Sequence, residues 1–140
     1  MFGFGKKKKK DTNEEFSLTD LSYLNKKELS LHTKLKERLN EHLLDDEIVI
    51  GETSCAGTSY FCTDRRVITI NGLDRKAKKV KADSIYYKEI SSVTYSDGIL
   101  GFGSLVIHLQ GNIEKPWSTL YEKPCKAMYK LLNSNLSYNN

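Results

Sequence analysis

The sequence predicts a mainly β protein of the α+β class, built as a seven-stranded antiparallel barrel or orthogonal sandwich. A C-terminal helix caps the strands, and an additional amphipathic helix precedes them. Three observations predict this architecture. Short runs rich in β-branched and aromatic residues recur between residues 47 and 118, turn-forming residues separate them, and apolar residues at helical spacing lie before and after them.

The most compact strand pair lies in residues 60–70, where two apolar runs flank Thr63-Asp64-Arg65-Arg66. β-branched and aromatic residues favour a pleated, half-buried surface. Because so few residues separate the runs, they predict a tight hairpin between the second strand (59–63) and the third (67–71). We expect its two arginines to be turn residues that extend the basic face of the next loop.

The remaining strands are predicted at 47–52, 84–87, 90–95, 104–109 and 113–118. Leucine and isoleucine alternate with other residues in 105–109, which predicts a core-facing side and an outward-facing His108. Gly111-Asn112 is typical of a two-residue hairpin turn. Pro116 cannot donate to a ladder, so the last strand is predicted to be an edge strand or to end early.

A helical period precedes the strands, from residue 17 to residue 44. Its leucines recur every four residues, at Leu31, Leu35, Leu39 and Leu43. Asn25 followed by Glu28 is a capping-box pattern and predicts the start of the longer helix. We expect the leucine stripe to pack on the body of its own domain. The alternative is that it forms an interface between two copies of the chain.

A second helix is predicted near the C-terminus from apolar residues at helical spacing between Cys125 and Leu136. Together these elements divide the chain into four parts. They are a flexible polybasic tail (1–16), a helical segment (17–45), the strand-rich domain with its capping helix (46–136) and a frayed tail (137–140).

Positive charge is concentrated in two segments, although the net charge is only +4. Contact with an anionic surface is predicted for Lys6, Lys7, Lys8, Lys9, Lys10, Arg75, Lys76, Lys78 and Lys79. Phe2 and Phe4, beside the lysine run, are suited to the headgroup layer of a membrane. The alternative is a tail that only increases solubility or binds nucleic acid through charge.

Several classes of function lack the residues they need. Cys55, Cys62 and Cys125 have no disulfide or metal-ligand spacing, so they are expected to be buried thiols. Residues 98–103 are glycine-rich but precede a strand rather than a helix, which excludes a dinucleotide fingerprint. Residues 45–47 are interpreted as an acidic cluster that ends the first helix. We therefore expect no catalytic residue, metal or cofactor, and a cytoplasmic chain that is at most peripheral to the membrane's inner face.

The hairpin sequence Phe61-Cys62-Thr63-Asp64-Arg65-Arg66-Val67-Ile68 resembles a motif of bacterial pleckstrin-homology-like domains of the YokE-like type. The run Ile85-Tyr86-Tyr87-Lys88-Glu89-Ile90-Ser91-Ser92-Val93 resembles a second motif of that family. The resemblance implies a seven-stranded barrel with one capping helix. It also implies a non-enzymatic domain that binds peptides, phosphoinositides or partner subunits. The lipid-binding members carry basic residues between their first two strands, whereas residues 53–58 contain no lysine or arginine.

The function predicted from these observations is that of a non-enzymatic binding or adaptor module. It would act through contacts with a protein partner, with weak association to anionic membrane through the lysine-rich N-terminus. The alternative is a self-assembling structural protein that forms homo-oligomers through the leucine stripe or a strand edge. Nucleic acid is the least favoured partner, because the basic segments lack interleaved aromatic residues.

Overall fold

The computed structural model describes residues 16–139, and for 115–119 and 137–139 it describes the backbone alone. Helix α1 (Lys26–Leu39) comes first, and helix α2 (Glu122–Asn139) comes last. The strands between them are β1 (Val49–Cys55), β2 (Thr58–Thr63), β3 (Arg66–Gly72), β4 (Val80–Tyr86), β5 (Ile90–Asp97), β6 (Phe102–Leu109) and β7 (Ile113–Tyr121).

The strands form two antiparallel sheets, β1-β2-β3-β4 and β5-β6-β7, each in chain order. A short 3-10 turn, Tyr87–Glu89, carries the chain from one sheet to the other. Within residues 16–139 no strand pairing joins the two sheets. The prediction of a closed barrel is therefore wrong, and the predicted sandwich alternative describes the molecule.

Most strands extend further than their sequence patterns predict. β4 begins at Val80 rather than at residue 84, since Val80 still pairs with Gly72. β7 continues to Tyr121, and Pro116 lies within it without ending it. The prediction that this strand is an edge is confirmed, because in the described part of the chain it pairs with β6 alone. β1 starts at Val49 rather than at residue 47.

Helix α1 begins where the capping pattern predicts. The Asn25 side chain accepts the backbone N–H of Glu28, and the Glu28 carboxylate accepts the backbone N–H of Asn25. Residues 17–24 form turns instead of extending the helix. They run beside the free edge of β1, where Leu18 O accepts the Glu52 N–H at 2.8 Å. A side chain at Gly51 would collide with Leu18, because an added Cβ would lie 2.9 Å from its Cβ.

The apolar interior has two parts, one on each face of the four-stranded sheet. Between the two sheets and α2 lies a core that includes Tyr60, Cys62, Val67, Leu105, Ile107, Leu120, Met128 and Leu132. On the outer face, α1 buries a smaller cluster that includes Leu35, Leu39, Phe61, Ile68 and Ile70. Strands β2 and β3 are thus covered on both faces, which explains why their sequences are continuous apolar runs rather than alternating ones.

The packing of α1 predicts a large loss of stability when its buried leucine is truncated. Leu35 is fully buried, at 0% exposure, so Leu35→Ala should lower the free energy of unfolding by about 2–5 kcal/mol. The control is Leu29→Ala, since Leu29 is 41% exposed on the same helix and should cost less than about 1 kcal/mol. Denaturant unfolding of both variants measures the difference. Equal, small losses would contradict the docking of α1 on the sheet.

Candidate functional site

Arg66, at the start of β3, lies at the centre of a buried polar cluster. Its Nε and Nη2 atoms donate to the two carboxylate oxygens of Glu47, each at 2.9 Å. Nη2 also donates to the His42 carbonyl at 2.6 Å, and Nη1 to Ser84 Oγ at 3.0 Å. The Glu47 side chain is 0% exposed. The prediction that Arg66 is a solvent-facing turn residue is therefore wrong, because its charge is needed to balance a buried carboxylate.

Thr63 completes this cluster at the turn between β2 and β3. Its hydroxyl donates to Glu47 Oε2 at 2.7 Å and accepts the backbone N–H groups of Arg65 and Arg66, each at 3.0 Å. The Tyr87 hydroxyl donates to the Thr63 carbonyl at 2.6 Å. Arg65 fits the predicted turn role better than Arg66, since it reaches out to the exposed Asp46.

The environment of Glu47 favours its ionised form. The hydrogen bond from Arg66 is the largest effect, and the Leu44 N–H and Thr63 hydroxyl add to it, so the pKa falls from 4.5 to about 2 although burial opposes the shift. The prediction that residues 45–47 end the first helix is wrong, because α1 ends at Leu39 and Asn40 is its C-cap. Glu47 is the buried anion that ties the segment after the helix to the hairpin.

A second polar cluster lies beneath α1. His32, which is 1% exposed, bridges Ser59 Oγ and Glu52 Oε1, each at 2.7 Å from a ring nitrogen. Lys36 Nζ donates to the other oxygen of Glu52 at 2.9 Å. The His32 ring also stacks on Phe61, with 5.3 Å between ring centroids. These contacts fix the rotation of α1 on the sheet.

Ser59, His32 and Glu52 have the connectivity of a hydrolytic triad, in which a histidine joins a hydroxyl to a carboxylate. A nucleophile must nevertheless reach its substrate, and Ser59 is 0% exposed beneath the helix. Its hydroxyl also donates to Ser54 Oγ at 3.4 Å. The arrangement therefore works as a packing network that satisfies buried polar groups. Sequence reasoning missed it, although His32 lies on the helix face of Leu35 and Leu39.

The loop between β3 and β4 is the exposed feature with the strongest charge. Asp74 organises it by accepting the backbone N–H groups of Lys76, Lys78 and Lys79 at 3.1, 2.9 and 3.2 Å. These hydrogen bonds lower the pKa of Asp74, and the bond from the Lys78 N–H has the largest effect. Donation of the backbone N–H groups to one carboxylate gives the loop a defined shape. Its basic side chains, all exposed, are Arg75, Lys76, Lys78 and Lys79.

Helix α1 holds this basic loop against the outer face of the sheet. Arg38 Nη1 donates to the carbonyls of Ala77 and Lys78, both at 2.9 Å. Ala77 is 3% exposed and belongs to the cluster beneath α1. Its φ of 57° is in the left-handed region, which turns the chain so that the flanking basic residues point away from the core.

The residues predicted to form a site fall into three groups: one exposed loop, the apolar cluster beneath α1, and the N-terminal segment outside the described residues. Arg75, Lys76, Lys78 and Lys79 lie together on one loop, whereas Lys6, Lys7, Lys8, Lys9 and Lys10 fall outside the described residues. Leu35 and Leu39 are buried within the chain, and Leu31 and Leu43 are partly buried against the same cluster. This packing is the intramolecular alternative predicted for the leucine stripe.

The cysteine prediction is confirmed, since Cys55, Cys62 and Cys125 are buried free thiols. Burial raises the pKa of Cys62 to about 12, so the thiol is held in its unreactive form. In the part of the chain that the structure describes, no cluster of three or more histidine, cysteine or acidic side chains is placed to hold a metal. Nor is any helix there both long and apolar enough to cross a membrane.

Comparison with solved structures identifies the architecture. The chain is similar to a pleckstrin homology domain from Shewanella amazonensis SB2B, with a TM-score of 0.59, 23% identity and coverage of 75% of this chain and 87% of that one. The fold is that of a bacterial pleckstrin-homology domain. A duf1696 family protein with a pleckstrin-homology domain from Shewanella loihica PV-4 gives a TM-score of 0.56 at 20% identity, covering 75% and 96%.

The pleckstrin-homology fold also occurs in a PH-domain-containing protein from Exiguobacterium sibiricum 255-15, with a TM-score of 0.53 and 15% identity. That match covers 70% of this chain and 55% of the longer protein. No protein-family model and no curated protein matches the sequence. At these identities the likeness establishes the fold, and function has to be argued from the residues.

The Glu47–Arg66 pair predicts how stability depends on pH. Because folding lowers the pKa of Glu47 from 4.5 to about 2, the pair stabilises the fold fully above pH 4.5 and progressively less as the pH falls towards 2. Glu47→Gln removes this titration, so its free energy of unfolding should fall less steeply over that range. Chemical denaturation at several pH values measures the slope. Glu37→Gln, on the exposed side of α1, should keep the wild-type slope, and an unchanged slope in Glu47→Gln would contradict the assignment.

Proposed function

We propose that this pleckstrin-homology chain is a non-enzymatic binding module. It acts through contacts with a protein partner, and its basic segments add weak, reversible association with anionic membrane. The observation that carries the membrane part is the basic loop, because it presents four exposed cationic side chains on a backbone fixed by Asp74 and Arg38.

The shape of the basic loop supports binding to a surface rather than to one small ligand. Its four basic side chains are all exposed and lie within the five residues 75–79. Leu73, which begins the loop, is 61% exposed and adds an aliphatic side chain beside the charges. Each lysine or arginine near an anionic bilayer stabilises association by about 1 kcal/mol, and salt screens this attraction.

Binding rather than catalysis is supported by two arguments. The pleckstrin-homology fold is generally a scaffold for binding partners. The Ser59–His32–Glu52 arrangement, which has the connectivity of a catalytic group, is sealed beneath α1. The turn between β1 and β2 has only Ala56 and Gly57 between the strands, so the contact proposed here uses the β3–β4 loop instead.

Neutralising the basic loop should weaken membrane binding. The variant Lys76→Gln/Lys78→Gln/Lys79→Gln removes three charges, so binding to vesicles with anionic lipid at low salt should fall by more than about tenfold. Co-sedimentation with vesicles of phosphatidylcholine and phosphatidylglycerol measures the loss. The charge-matched control replaces Lys26, Lys27 and Lys88, which are exposed elsewhere. If both triple variants bind equally, the loop has no specific part in the contact.

Deleting residues 1–10 should abolish binding to the same vesicles at low salt. The deletion removes five lysines together with Phe2 and Phe4. The described domain starts later in the chain, so its circular dichroism spectrum and unfolding midpoint serve as controls for folding. Unchanged co-sedimentation of the shortened chain would contradict a role for the N-terminal lysines.

Self-assembly is the second candidate function, and the observation in its favour is the free edge of β4. Among residues 16–139, β4 has β3 as its one ladder partner, which leaves a row of backbone groups along Val80–Tyr86 for another strand. The exposed charges of Lys81 and Asp83 on that strand are typical of edges protected from pairing. Light scattering at high micromolar concentration separates the candidates, since a strict monomer contradicts self-assembly.

A further inference from the structure

The turn between β5 and β6 carries the two most exposed large aliphatic side chains of the described residues. Ile99 is 78% exposed and Leu100 is 89% exposed. Neither contributes to the two apolar clusters of the fold. Adjacent aliphatic side chains at the tip of a hairpin are unusual for a turn, where polar residues and glycine are preferred. Packing among the described residues does not account for them.

The backbone holds this pair in a fixed position. Gly98 N–H donates to Phe102 O at 3.0 Å, and Phe102 N–H donates to Ile99 O at 3.2 Å. At the base of the turn, Glu122 N–H donates to Gly101 O at 2.8 Å, which joins the turn to the start of α2. Leu100 has a φ of 56°, in the left-handed region that favours glycine or asparagine. The turn therefore presents a leucine at a position where the backbone favours a smaller residue.

A row of partly buried aromatic rings leads away from the turn. Phe102 stacks on Tyr121 with 5.2 Å between centroids, and Tyr121 contacts Tyr23 at 5.4 Å. Tyr23 in turn lies 5.8 Å from Phe16. The row thus connects the base of the hairpin tip to the residue at which the described chain begins. Tyrosine and phenylalanine rings of this kind suit the interface between water and lipid.

The chain before Phe16 supplies charge within reach of this surface. Residues 11–15 separate Lys10 from Phe16, so an extended chain spans at most about 20 Å between them. Three acidic residues lie between Lys10 and Phe16, so residues 1–16 together carry a net charge of +2 from five lysines and three carboxylates. On the folded surface, Glu122 pairs with Lys126 at 3.0 Å, and Asp97 accepts the Tyr95 hydroxyl at 2.8 Å. An aliphatic tip, an aromatic row and a lysine run together fit a lipid surface better than a protein pocket, which would not need the lysines.

We infer that the β5–β6 turn is a membrane-inserting element, in which Ile99 and Leu100 enter the interfacial layer of an anionic bilayer. The aromatic row then lies at headgroup depth, and the N-terminal lysines pair with anionic lipids. This inference rests on the membrane contact in the proposed function and names the apolar element that accompanies it. It makes binding partly resistant to salt, because burial of apolar surface is not screened.

The test combines a double variant with a site-specific probe. Ile99→Ser/Leu100→Ser should bind vesicles of phosphatidylcholine and phosphatidylglycerol at least tenfold more weakly than the wild type, and the binding that remains should disappear at high salt. The control Ile48→Ser/Ile113→Ser changes two isoleucines that are 61% and 55% exposed elsewhere, and it should bind like the wild type. A separate variant, Leu100→Cys, provides an exposed thiol for an environment-sensitive dye. The dye labels this position selectively because the native cysteines are buried.

Dye emission should shift to shorter wavelength when these vesicles are added. The inference would be overturned if the wild type binds the vesicles, the dye emission does not shift and the double variant binds as well as the wild type. The proposed membrane contact would then remain intact. That result would indicate that the turn serves a protein pocket instead. A wild-type chain that does not bind the vesicles at low salt would overturn both the inference and the proposed membrane contact.

Discussion

The fold depends on the buried ion pair between Glu47 and Arg66. Taking a carboxylate and a guanidinium out of water costs several kcal/mol per ion, so the pair is tolerated only because its hydrogen-bonding groups are satisfied. Arg66 contacts Glu47, His42 and Ser84, and Glu47 also accepts from Thr63. These groups belong to the segment after α1, the β2–β3 hairpin and the end of β4. One pair thereby fixes how the helical segment enters the sheet.

The two helices lie on opposite faces of the four-stranded sheet. Helix α2 closes the interior between the sheets, while α1 covers the outer face through Leu35 and Leu39 and through the His32 cluster. Because Arg38 extends from α1 to the carbonyls of the β3–β4 loop, the same helix shapes the exposed basic loop. Position of the charged surface and packing of the core are thus physically linked. The docked helix and Asp74 together shape the loop that presents the lysines.

Element types could be predicted from the sequence because local patterns encode them. The capping box at Asn25 and the alternation of residues 105–109 report backbone structure directly. The role of Arg66 could not be predicted, because an arginine beside a turn has the same local pattern whether it faces solvent or a carboxylate far away in the chain. His32 gave a usable signal, since it lies on the leucine face of α1. The exposure of Ile99 and Leu100 could not be predicted, because an apolar pair in a strand-rich sequence is usually part of the core.

The most direct test of this account is a double-mutant cycle on Glu47 and Arg66. Glu47→Gln and Arg66→Met each leave one buried charge uncompensated, so each alone should lower the free energy of unfolding by about 3–5 kcal/mol. The double variant removes both charges, and it should lose at least about 1.5 kcal/mol less than the sum of the single losses. Chemical denaturation of the four proteins at neutral pH gives this coupling energy. Losses that add to within about 0.5 kcal/mol would show that the pair does not hold the helical segment to the hairpin.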